Sequence, residues 1–476
     1  MTRSDRRWLF AVIAIVAVAQ IALAIRVLDR LDPLTGDEPF YVMTALSIMN
    51  DRDLDESNNY ADRDYDEFYP PEPLPAGWDG WPAFPRTLPP HPATSDRNGL
   101  HTKHGLGLSF LIATPYEIAG RPGAVAVVLI CSLFVAANMF LLAHDVNASP
   151  AWAAAIAIML AVSMPLAPYS SLLFPEIPAA LLLIYAIRRL ATPSNALYVW
   201  VLTGMAIGFL PWLHQRFAPT AVVLTGIVLY RFWKSREYSG AIAALTPVAV
   251  GGLSLVGYNL WLYGSPFQST ADHAGFNGPE GTLNATFGLL LDAQWGLLIA
   301  APLYAVVLAG IPFWLKSSPT ARMAALAIVP YLVVVATYRV WWGEWGPPAR
   351  YLVPVAPLAA GVLATLVVHV STPVRAAIVG LWCAGMVLVA AGAINPQRFY
   401  HQPDGINNLY MVLDGWFGTD IAGHLIAFQP YAISPLDQRV VASLMLCTII
   451  ALMIVVAWPV DRQRAAQPTE EISAGD

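Results

Sequence analysis

Long apolar blocks alternate along this chain with short polar connections. The blocks run for roughly 17 to 23 residues, which is the length that lets an α-helix cross the hydrocarbon of a bilayer. We therefore predict an all-α polytopic membrane protein with about twelve transmembrane helices, a count that the bilayer-length rule supports. The predicted spans are 8–27, 123–143, 150–169, 176–190, 196–213, 217–232, 241–260, 296–315, 323–340, 351–370, 376–394 and 440–459.

Composition supports the same class. Of the 476 residues, 57% are hydrophobic and only 12% are charged, and the mean hydropathy is +0.54, which excludes a soluble multidomain protein. The net charge of -6 comes largely from one acidic loop, so no nucleic-acid partner is expected. Cys131, Cys383 and Cys447 lie within apolar blocks, where we expect packing residues rather than disulfides or metal ligands.

Basic residues predict the topology. Three arginines precede the first apolar block, which is longer than a signal peptide requires, so we expect an uncleaved helix with a cytoplasmic N-terminus. With twelve spans the other basic clusters also face the cytoplasm, provided that segment 104–119 is a re-entrant or juxtamembrane helix. Both termini are then cytoplasmic in a multi-pass plasma-membrane protein. The clusters are Arg188/Arg189, Arg231/Lys234/Arg236, Lys316/Arg322, Arg375 and Arg462/Arg464.

The predicted organisation is one membrane domain, 1–460, followed by a polar cytoplasmic tail, 461–476, that we expect to be disordered. Three long loops face outward, and the first is large enough to carry juxtamembrane helices. These loops cover about 30–120, 261–295 and 395–436. No internal repeat is evident, which disfavours a transporter built from inverted halves.

An acidic pair, Asp37 and Glu38, ends the first apolar block. A carboxylate at the boundary between water and lipid can act as a general base on one substrate while the bilayer delivers the other. The sequence does not rank these two adjacent carboxylates.

The first loop continues with an acidic run, 51–67, and a segment rich in proline and tryptophan, 68–92. Alternate aspartates in the run suggest a calcium loop, but the EF-hand positions for glycine and glutamate hold Glu56 and Asp62. A solvated acidic loop is the favoured interpretation. The second segment suits a layer on the membrane surface, because tryptophan favours the interface.

Cationic candidates follow at the end of the first loop. Lys103, flanked by His101 and His104, precedes a short apolar helix, and this combination can bind a phosphate. A lysine that snorkels to the interface is the alternative. Further along, Glu176 and Arg216 stand at the outer ends of two spans. They either pair with each other, or orient an acceptor and bind a phosphate, respectively.

The segment 339–351 combines three tryptophans with two arginines and a glutamate. Trp342, Glu344 and Tyr351 are candidates for sugar or acceptor binding, and Arg350 for the donor phosphate. An aromatic belt at the interface would explain the tryptophans but not the charged residues.

These motifs together resemble the GT-C superfamily of polytopic glycosyltransferases, in particular the branch of protein O-mannosyltransferases and aminoarabinose transferases. The resemblance covers most of the chain. Asp37-Glu38 is similar to the acidic motif that opens the family's first outer loop, and His101 to Leu106 resembles its lysine element, although His104-Gly105 replaces two prolines. Glu176 matches the second acidic position, and Arg350-Tyr351 with Pro354 is similar to a late family element.

The resemblance implies transfer of a sugar from a polyprenyl-phosphate-sugar donor to an envelope glycan, glycolipid or protein at the outer face, by a single inverting displacement. Asp37 is the implied base, with Glu38 as its support or its alternative. Lys103 and His104, with Arg216 or Arg350, stabilise the leaving phosphate. His101, Glu176, Trp342, Glu344 and Tyr351 are the candidates for acceptor or sugar contacts.

No cofactor is expected, because the chain has no tight cluster of metal ligands; a divalent cation on Asp37, Glu176 and Glu344 is the less favoured alternative. Two rival functions use the same charges. A transporter or flippase would move a lipid-linked or small anionic substrate, and a scaffold would bind it without reaction. The one-sided clustering of polar residues favours the enzyme.

Overall fold

The structure is a computed structural model that describes residues 2–31, 33–69, 87–92, 99–192, 194, 196–267 and 275–465, with side chains described as far as residue 455. Most of the proline- and tryptophan-rich segment and residues 466–476 of the predicted tail lie outside these ranges. Within them the chain is helical, without a strand, and carries two isolated β-bridges, Pro92 with Thr102 and Phe276 with Tyr338. The all-α prediction is confirmed.

The α-helices are numbered in chain order. They are α1 (Arg3–Arg30), α2 (Glu38–Leu46), α3 (Ser57–Asp62), α4 (Leu106–Asp145), α5 (Pro150–Ala161), α6 (Leu166–Tyr169), α7 (Glu176–Ala191), α8 (Leu197–Leu213), α9 (Ala218–Ser235), α10 (Tyr238–Tyr263), α11 (Pro279–Leu291), α12 (Leu297–Ala300), α13 (Leu303–Ser317), α14 (Pro319–Thr337), α15 (Ala359–His369), α16 (Thr372–Ile394), α17 (Asn408–Phe417) and α18 (Leu436–Ala465). A π-helical turn covers Ser47–Asp51, and 3₁₀ turns cover Asp64–Glu67, Gln215–Phe217, Arg350–Leu352, Ala356–Leu358, Pro396–Phe399 and Ala422–His424.

Each predicted span coincides with one or two of these helices. Six helices in the described ranges are long and apolar enough to cross a membrane, namely α1, α4, α10, α14, α16 and α18. Four shorter apolar helices add to them: α5, α8, α13 and the turn that leads into α15. The chain is therefore a multi-pass membrane protein, and the count of twelve stays a prediction.

The segment 104–119 differs from its predicted form. It is helical, and it joins the following span in the 40-residue helix α4. The join is bent, because Ala119 and Gly120 leave the helical region and Gly120 has φ +58°. The proline at position 122 contributes to the break, since its ring removes a backbone donor. Whether this first half crosses the membrane stays a prediction.

Small residues control the closest helix packing. α8 lies against α10 along most of its length. A side chain at Gly204 would collide with the carbonyl oxygen of Ala244, and a Cβ at Gly208 would lie 2.8 Å from the carbonyl oxygen of Pro247. Glycine at these positions lets the two backbones touch, which is how helices associate tightly in lipid.

Charged side chains lie at both ends of the helix bundle. At one end, Asp5 faces His144 at 3.6 Å, Arg188 faces Asp145 at 3.6 Å, and Arg231 donates to the carbonyl oxygen of Leu190 at 2.7 Å. The opposite end, called the loop face below, gathers the loops that follow α1, α8, α14 and α16. The basic residues predicted to be cytoplasmic thus include two that lie opposite the loop face.

The acidic run of the first loop folds against itself. The Asn59 amide nitrogen donates to Asp51 and Asp64, each at 2.8 Å. Asp55 accepts from the backbone nitrogens of Ser57 and Leu100 at 3.0 and 2.8 Å. Two of these carboxylates thus accept from a side-chain amide and Asp55 accepts from backbone nitrogens, so local hydrogen bonds hold the run together.

Glu56 is the exception in this run, because it is buried. Its side chain accepts a hydrogen bond from the Thr44 hydroxyl at 2.6 Å and is 3% exposed. Burial raises the pKa of Glu56 from 4.5 to about 8, and the charge of Asp55 adds to the shift. The folded protein therefore keeps a proton on Glu56 at pH values where the unfolded chain has lost it.

We expect stability to fall as pH rises from 4.5 to about 8, because the folded state binds more protons than the unfolded state in that window. Glu56→Gln keeps an acceptor for Thr44 and removes the titration. At pH 8 it should raise the free energy of unfolding by roughly 4 kcal/mol. Thermal unfolding in detergent at pH 5 and pH 8 measures this, and an equal pH dependence in the wild type and the variant would contradict it.

Candidate active site

A chain of four charged side chains lies at the loop face. The guanidinium of Arg350 forms an ion pair with Asp37 through Nη2 and donates to Oε1 of Glu176 through Nε at 2.9 Å. The same Glu176 oxygen accepts from Nη2 of Arg216 at 2.6 Å. We call Asp37, Arg350, Glu176 and Arg216 the charge chain. Its formal charges cancel, which makes burial at a membrane boundary affordable.

Local backbone structure positions each member. Asp37 is the N-cap residue of α2 and follows Gly36, whose φ of +65° and contact with the Trp345 carbonyl oxygen leave no room for a side chain. Glu176 begins α7, and Arg216 and Arg350 lie in 3₁₀ turns. The site is thus built where four helices or turns begin, at one end of the bundle.

Asp37 is more exposed to solvent than the other members of the charge chain. Glu176 is 0% exposed and the two arginines are 8% and 6% exposed, whereas the side chain of Asp37 is 25% exposed. Its Oδ2 is held by Arg350, and Oδ1 makes no hydrogen bond with described residues. Asp37 is therefore the member that can meet a substrate.

Arg350 keeps Asp37 ionised. Burial alone would raise the pKa of Asp37, but the charge of Arg350, together with His104 and the Arg350 hydrogen bond, brings it well below its usual range. Arg350 is itself fixed by the carbonyl oxygen of Gly343 at 3.1 Å and by the Phe174 ring, 4.4 Å from the guanidinium carbon. The Arg216 guanidinium lies 4.4 Å from the Tyr351 ring. Tyr351 thus packs against the charge chain.

Glu38 is turned away from this site and is fully buried. Its Oε1 accepts from the Leu173 nitrogen at 2.8 Å, and its Oε2 accepts from the Tyr400 hydroxyl at 3.0 Å. These bonds tie α2 to the segment before α7 and to the loop after α16. Of the two carboxylates that the sequence could not rank, the geometry thus leaves Asp37 as the accessible one.

Lys103 and Glu344 lie at the open side of the charge chain. Lys103 is half-buried, and its charge acts on both His104 and Glu344. Glu344 is exposed and lies within electrostatic reach of Asp37. The charge of Lys103 thus acts on the same two side chains as the charge of Asp37.

His104 belongs to an aromatic stack that the sequence did not reveal. Its ring is stacked on Phe40, with centroids 5.2 Å apart, and its Nε2 lies 3.3 Å from Nδ1 of His91. Burial lowers the pKa of His104 to about 4, and the charges of Lys103 and Arg350 contribute. His104 is thus neutral at physiological pH and brings no positive charge to a phosphate.

Two other predicted residues lie apart from the charge chain. His101 is buried and packs edge-on against Trp261 at 5.2 Å, on the side of α10. Trp342 is buried against Trp341 and Tyr431, at 5.9 and 6.0 Å. Sequence reasoning missed two neighbours of the site residues: Tyr400, which donates to Glu38 from the loop after α16, and His91, which lies in the first loop and stacks on Phe40.

The described residues contain no group of three or more histidine, cysteine, aspartate or glutamate side chains that could hold a metal ion. Asp37 and Glu176 are both engaged by arginines, so a divalent cation does not fit between them without displacing Arg350. Glu344 is exposed and would be a single ligand, which would bind a divalent cation only weakly.

An apolar groove lies beside the site. It has a volume of about 510 Å³ and is bounded by α11, α13, α14 and the turn before α15. Leu352, two residues after Arg350, lines it, and the groove extends past Leu332 to Trp314 and Ala321 at the other end of α14. Exposed Val329 and Val333 flank it on α14, so the groove borders the lipid-facing surface.

No family model matches the chain, and no curated protein matches it. Two solved structures are similar to it, both of them GT-C membrane glycosyltransferases, the class that the sequence resembles. One is ArnT from Cupriavidus metallidurans in the apo state, with 15% identity, 94% of this chain and 74% of that chain covered, and a TM-score of 0.49.

The other is the archaeal oligosaccharyltransferase AglB from Archaeoglobus fulgidus, in complex with an inhibitory peptide and a dolichol-phosphate. It has 13% identity, 97% of this chain and 56% of that chain covered, and a TM-score of 0.41. With both TM-scores below 0.5, neither likeness assigns a substrate or a catalytic residue to this chain.

The charge chain predicts a specific pattern of stability. Glu176→Gln leaves a net charge of one on a buried cluster, and Arg216→Met does the same with opposite sign, so each should cost about 3 to 5 kcal/mol. The double variant restores neutrality through Asp37 and Arg350. It should therefore lose clearly less than the sum of the two single losses. Thermal unfolding of the three variants measures the coupling, and additive losses would contradict it.

Proposed function

We propose that this protein is a membrane glycosyltransferase that moves a sugar from a polyprenyl-phosphate-sugar donor to a hydroxyl of an envelope glycan, glycolipid or protein at the outer face of the plasma membrane. The observation that carries the proposal is Asp37. It is a carboxylate fixed by a buried arginine, open on one oxygen, and placed where the first long helix meets the loop face.

Asp37 acts as the general base through Oδ1. The acceptor hydroxyl donates to this oxygen while its own oxygen attacks the anomeric carbon of the donor sugar. The bond from that carbon to the phosphate oxygen breaks, the proton passes to Asp37, and the polyprenyl phosphate leaves with the electron pair. One displacement of this kind inverts the anomeric carbon.

Lys103 stabilises the leaving phosphate. Lys103 is half-buried, and its charge acts on His104 and Glu344, as does the charge of Asp37. Arg216 and Arg350 each pair with a carboxylate of the charge chain. We therefore assign the arginines to positioning Asp37, in place of the phosphate contacts expected from the sequence. Glu176 accepts hydrogen bonds from both arginines, so we assign it to holding them in place and not to contacting the acceptor.

The apolar groove suits the polyprenyl chain. Its wall is almost entirely aliphatic and aromatic, and it runs from the turn next to Arg350 along α14. Burying an isoprenoid there would hold the donor by the hydrophobic effect and leave its phosphate near the loop face. A flippase would use the same groove, so transfer chemistry distinguishes the two functions.

Asp37→Asn should lower kcat by about 10² to 10⁴-fold, because the amide cannot accept the proton. Lys103→Ala should lower it by about 100-fold, because the leaving phosphate loses a cation. The measurement is sugar transfer by purified protein in lipid nanodiscs, with a panel of polyprenyl-phosphate sugars and envelope acceptors. Asp66→Asn, a carboxylate paired with Arg63 in the same loop, is the matched control and should keep full activity.

Unfolding temperatures of all variants separate lost chemistry from lost structure, since Asp37→Asn also unbalances the charge chain. Transfer that survives Asp37→Asn would refute the assigned base. Lipid translocation without transfer, in the wild type and with every donor, would establish the flippase instead.

The topology is tested separately in a variant without the three native cysteines. Asp62→Cys places a thiol at an exposed position of the first loop, and Ser235→Cys places one at the exposed last residue of α9. We expect a membrane-impermeant maleimide to label the first in intact cells and the second only after permeabilisation. The reverse pattern would place the site on the cytoplasmic side.

A further inference from the structure

Tyr41 lies next to the charge chain, on the helix that Asp37 begins. It follows Asp37 by four residues, and its backbone nitrogen donates to the Asp37 carbonyl oxygen at 3.4 Å. Residues four apart share one face of a helix, which directs Tyr41 and Asp37 to the same side. The Tyr41 ring is tilted against His104, with centroids 5.4 Å apart, and only 1% of the residue is exposed.

The Tyr41 hydroxyl has no hydrogen-bond partner among the described residues. The charges that act on it are those of Asp37, Glu176, Arg350 and Arg216, so the hydroxyl lies beside the charge chain. Two other buried polar atoms of the charge chain are also unpartnered, Oε2 of Glu176 and Nε of Arg216. The charge chain and Tyr41 thus together hold three unpartnered polar atoms.

A buried hydroxyl without a partner is destabilising, and phenylalanine would fill the same space without that cost. Burial and the charge of Asp37 raise the pKa of Tyr41 well above its ordinary value. The hydroxyl therefore keeps its proton and can donate. A hydrogen-bond donor without a partner among the described residues, four positions after the proposed base, is suited to a substrate oxygen.

We propose that the Tyr41 hydroxyl contacts the bound donor and donates a hydrogen bond to an oxygen of its sugar-phosphate head. This role rests on the proposed glycosyltransferase function. Oxygen acceptors on the phosphate and on the sugar share the same chemistry. They are distinguished by comparing polyprenyl phosphate, which lacks the sugar, with the polyprenyl-phosphate sugar.

Tyr41→Phe is the decisive variant, because it removes one oxygen atom that has no hydrogen-bond partner among the described residues. The fold should be unchanged or slightly more stable, while kcat/KM for transfer should fall by about 10- to 100-fold. Binding of the two ligands to protein in nanodiscs locates the contact. If Tyr41→Phe binds both ligands more weakly, the hydrogen bond goes to the phosphate. If it binds only the polyprenyl-phosphate sugar more weakly, the hydrogen bond goes to the sugar. If kcat falls while binding of both ligands is unchanged, the hydrogen bond goes to the departing phosphate oxygen in the transition state.

Tyr60→Phe is the matched control. The Tyr60 hydroxyl is also buried without a partner, but the charges acting on it are Glu56 and Tyr65, away from the charge chain. We expect its transfer and binding to equal those of the wild type.

Unchanged transfer in Tyr41→Phe, or an equal loss in both variants, overturns the role of Tyr41 while wild-type transfer upholds the proposed function. A wild type that neither binds nor transfers the donor overturns both proposals together.

Discussion

Charge neutrality at the membrane boundary is the constraint on which the site depends. Four ionised groups lie within a few ångströms of each other, and three of them are almost fully removed from water. In such surroundings an unpaired charge is far more costly than in solvent, and the alternation of two carboxylates with two guanidiniums removes that cost. The charge chain also joins the loop after α1, the start of α7, the turn after α8 and the turn before α15. The same ion pairs therefore hold the site together and connect the loops of the loop face.

The need for charge neutrality also accounts for the different surroundings of the adjacent carboxylates Asp37 and Glu38. Glu38 is buried without a cation in direct contact and is stabilised by a backbone nitrogen and a tyrosine hydroxyl. Asp37 has an arginine on one oxygen and open space at the other. Neighbouring residues of nearly equal chemistry thus receive different surroundings, one fully buried and one partly exposed, because successive side chains at the start of a helix point in different directions.

Hydropathy was sufficient to predict the helices, since lipid demands long apolar segments whatever their packing. The clustering of charges at one end of the spans likewise predicted Asp37, Glu176, Arg216 and Arg350 as candidate site residues. The pairing of Glu176 with Arg216 was one of the two alternatives that the sequence left open. The sequence did not predict that Arg350 holds Asp37, because the two residues are 313 positions apart and an arginine suits a phosphate equally well. The four-residue spacing between Asp37 and Tyr41 is visible in the sequence and could have indicated Tyr41. No sequence pattern linked Tyr400 to Glu38, because the two residues are 362 positions apart. His91 lies in the first loop itself, but no spacing indicated that its ring stacks on Phe40.

A carboxylate with a strongly lowered pKa is a weak base, and this property restricts the chemistry that Asp37 can serve. Abstraction of a proton from a hydroxyl before bond formation would need a stronger base. Glycosyl transfer does not require it, because the transition state resembles an oxocarbenium ion and the attacking hydroxyl becomes acidic only as the new bond forms. Because the proton is transferred late, as the new bond forms, the orientation of the carboxylate matters more than its basicity. Arg350 supplies orientation by fixing one oxygen, Glu176 fixes Arg350, and the free oxygen of Asp37 is left pointing where an acceptor can arrive.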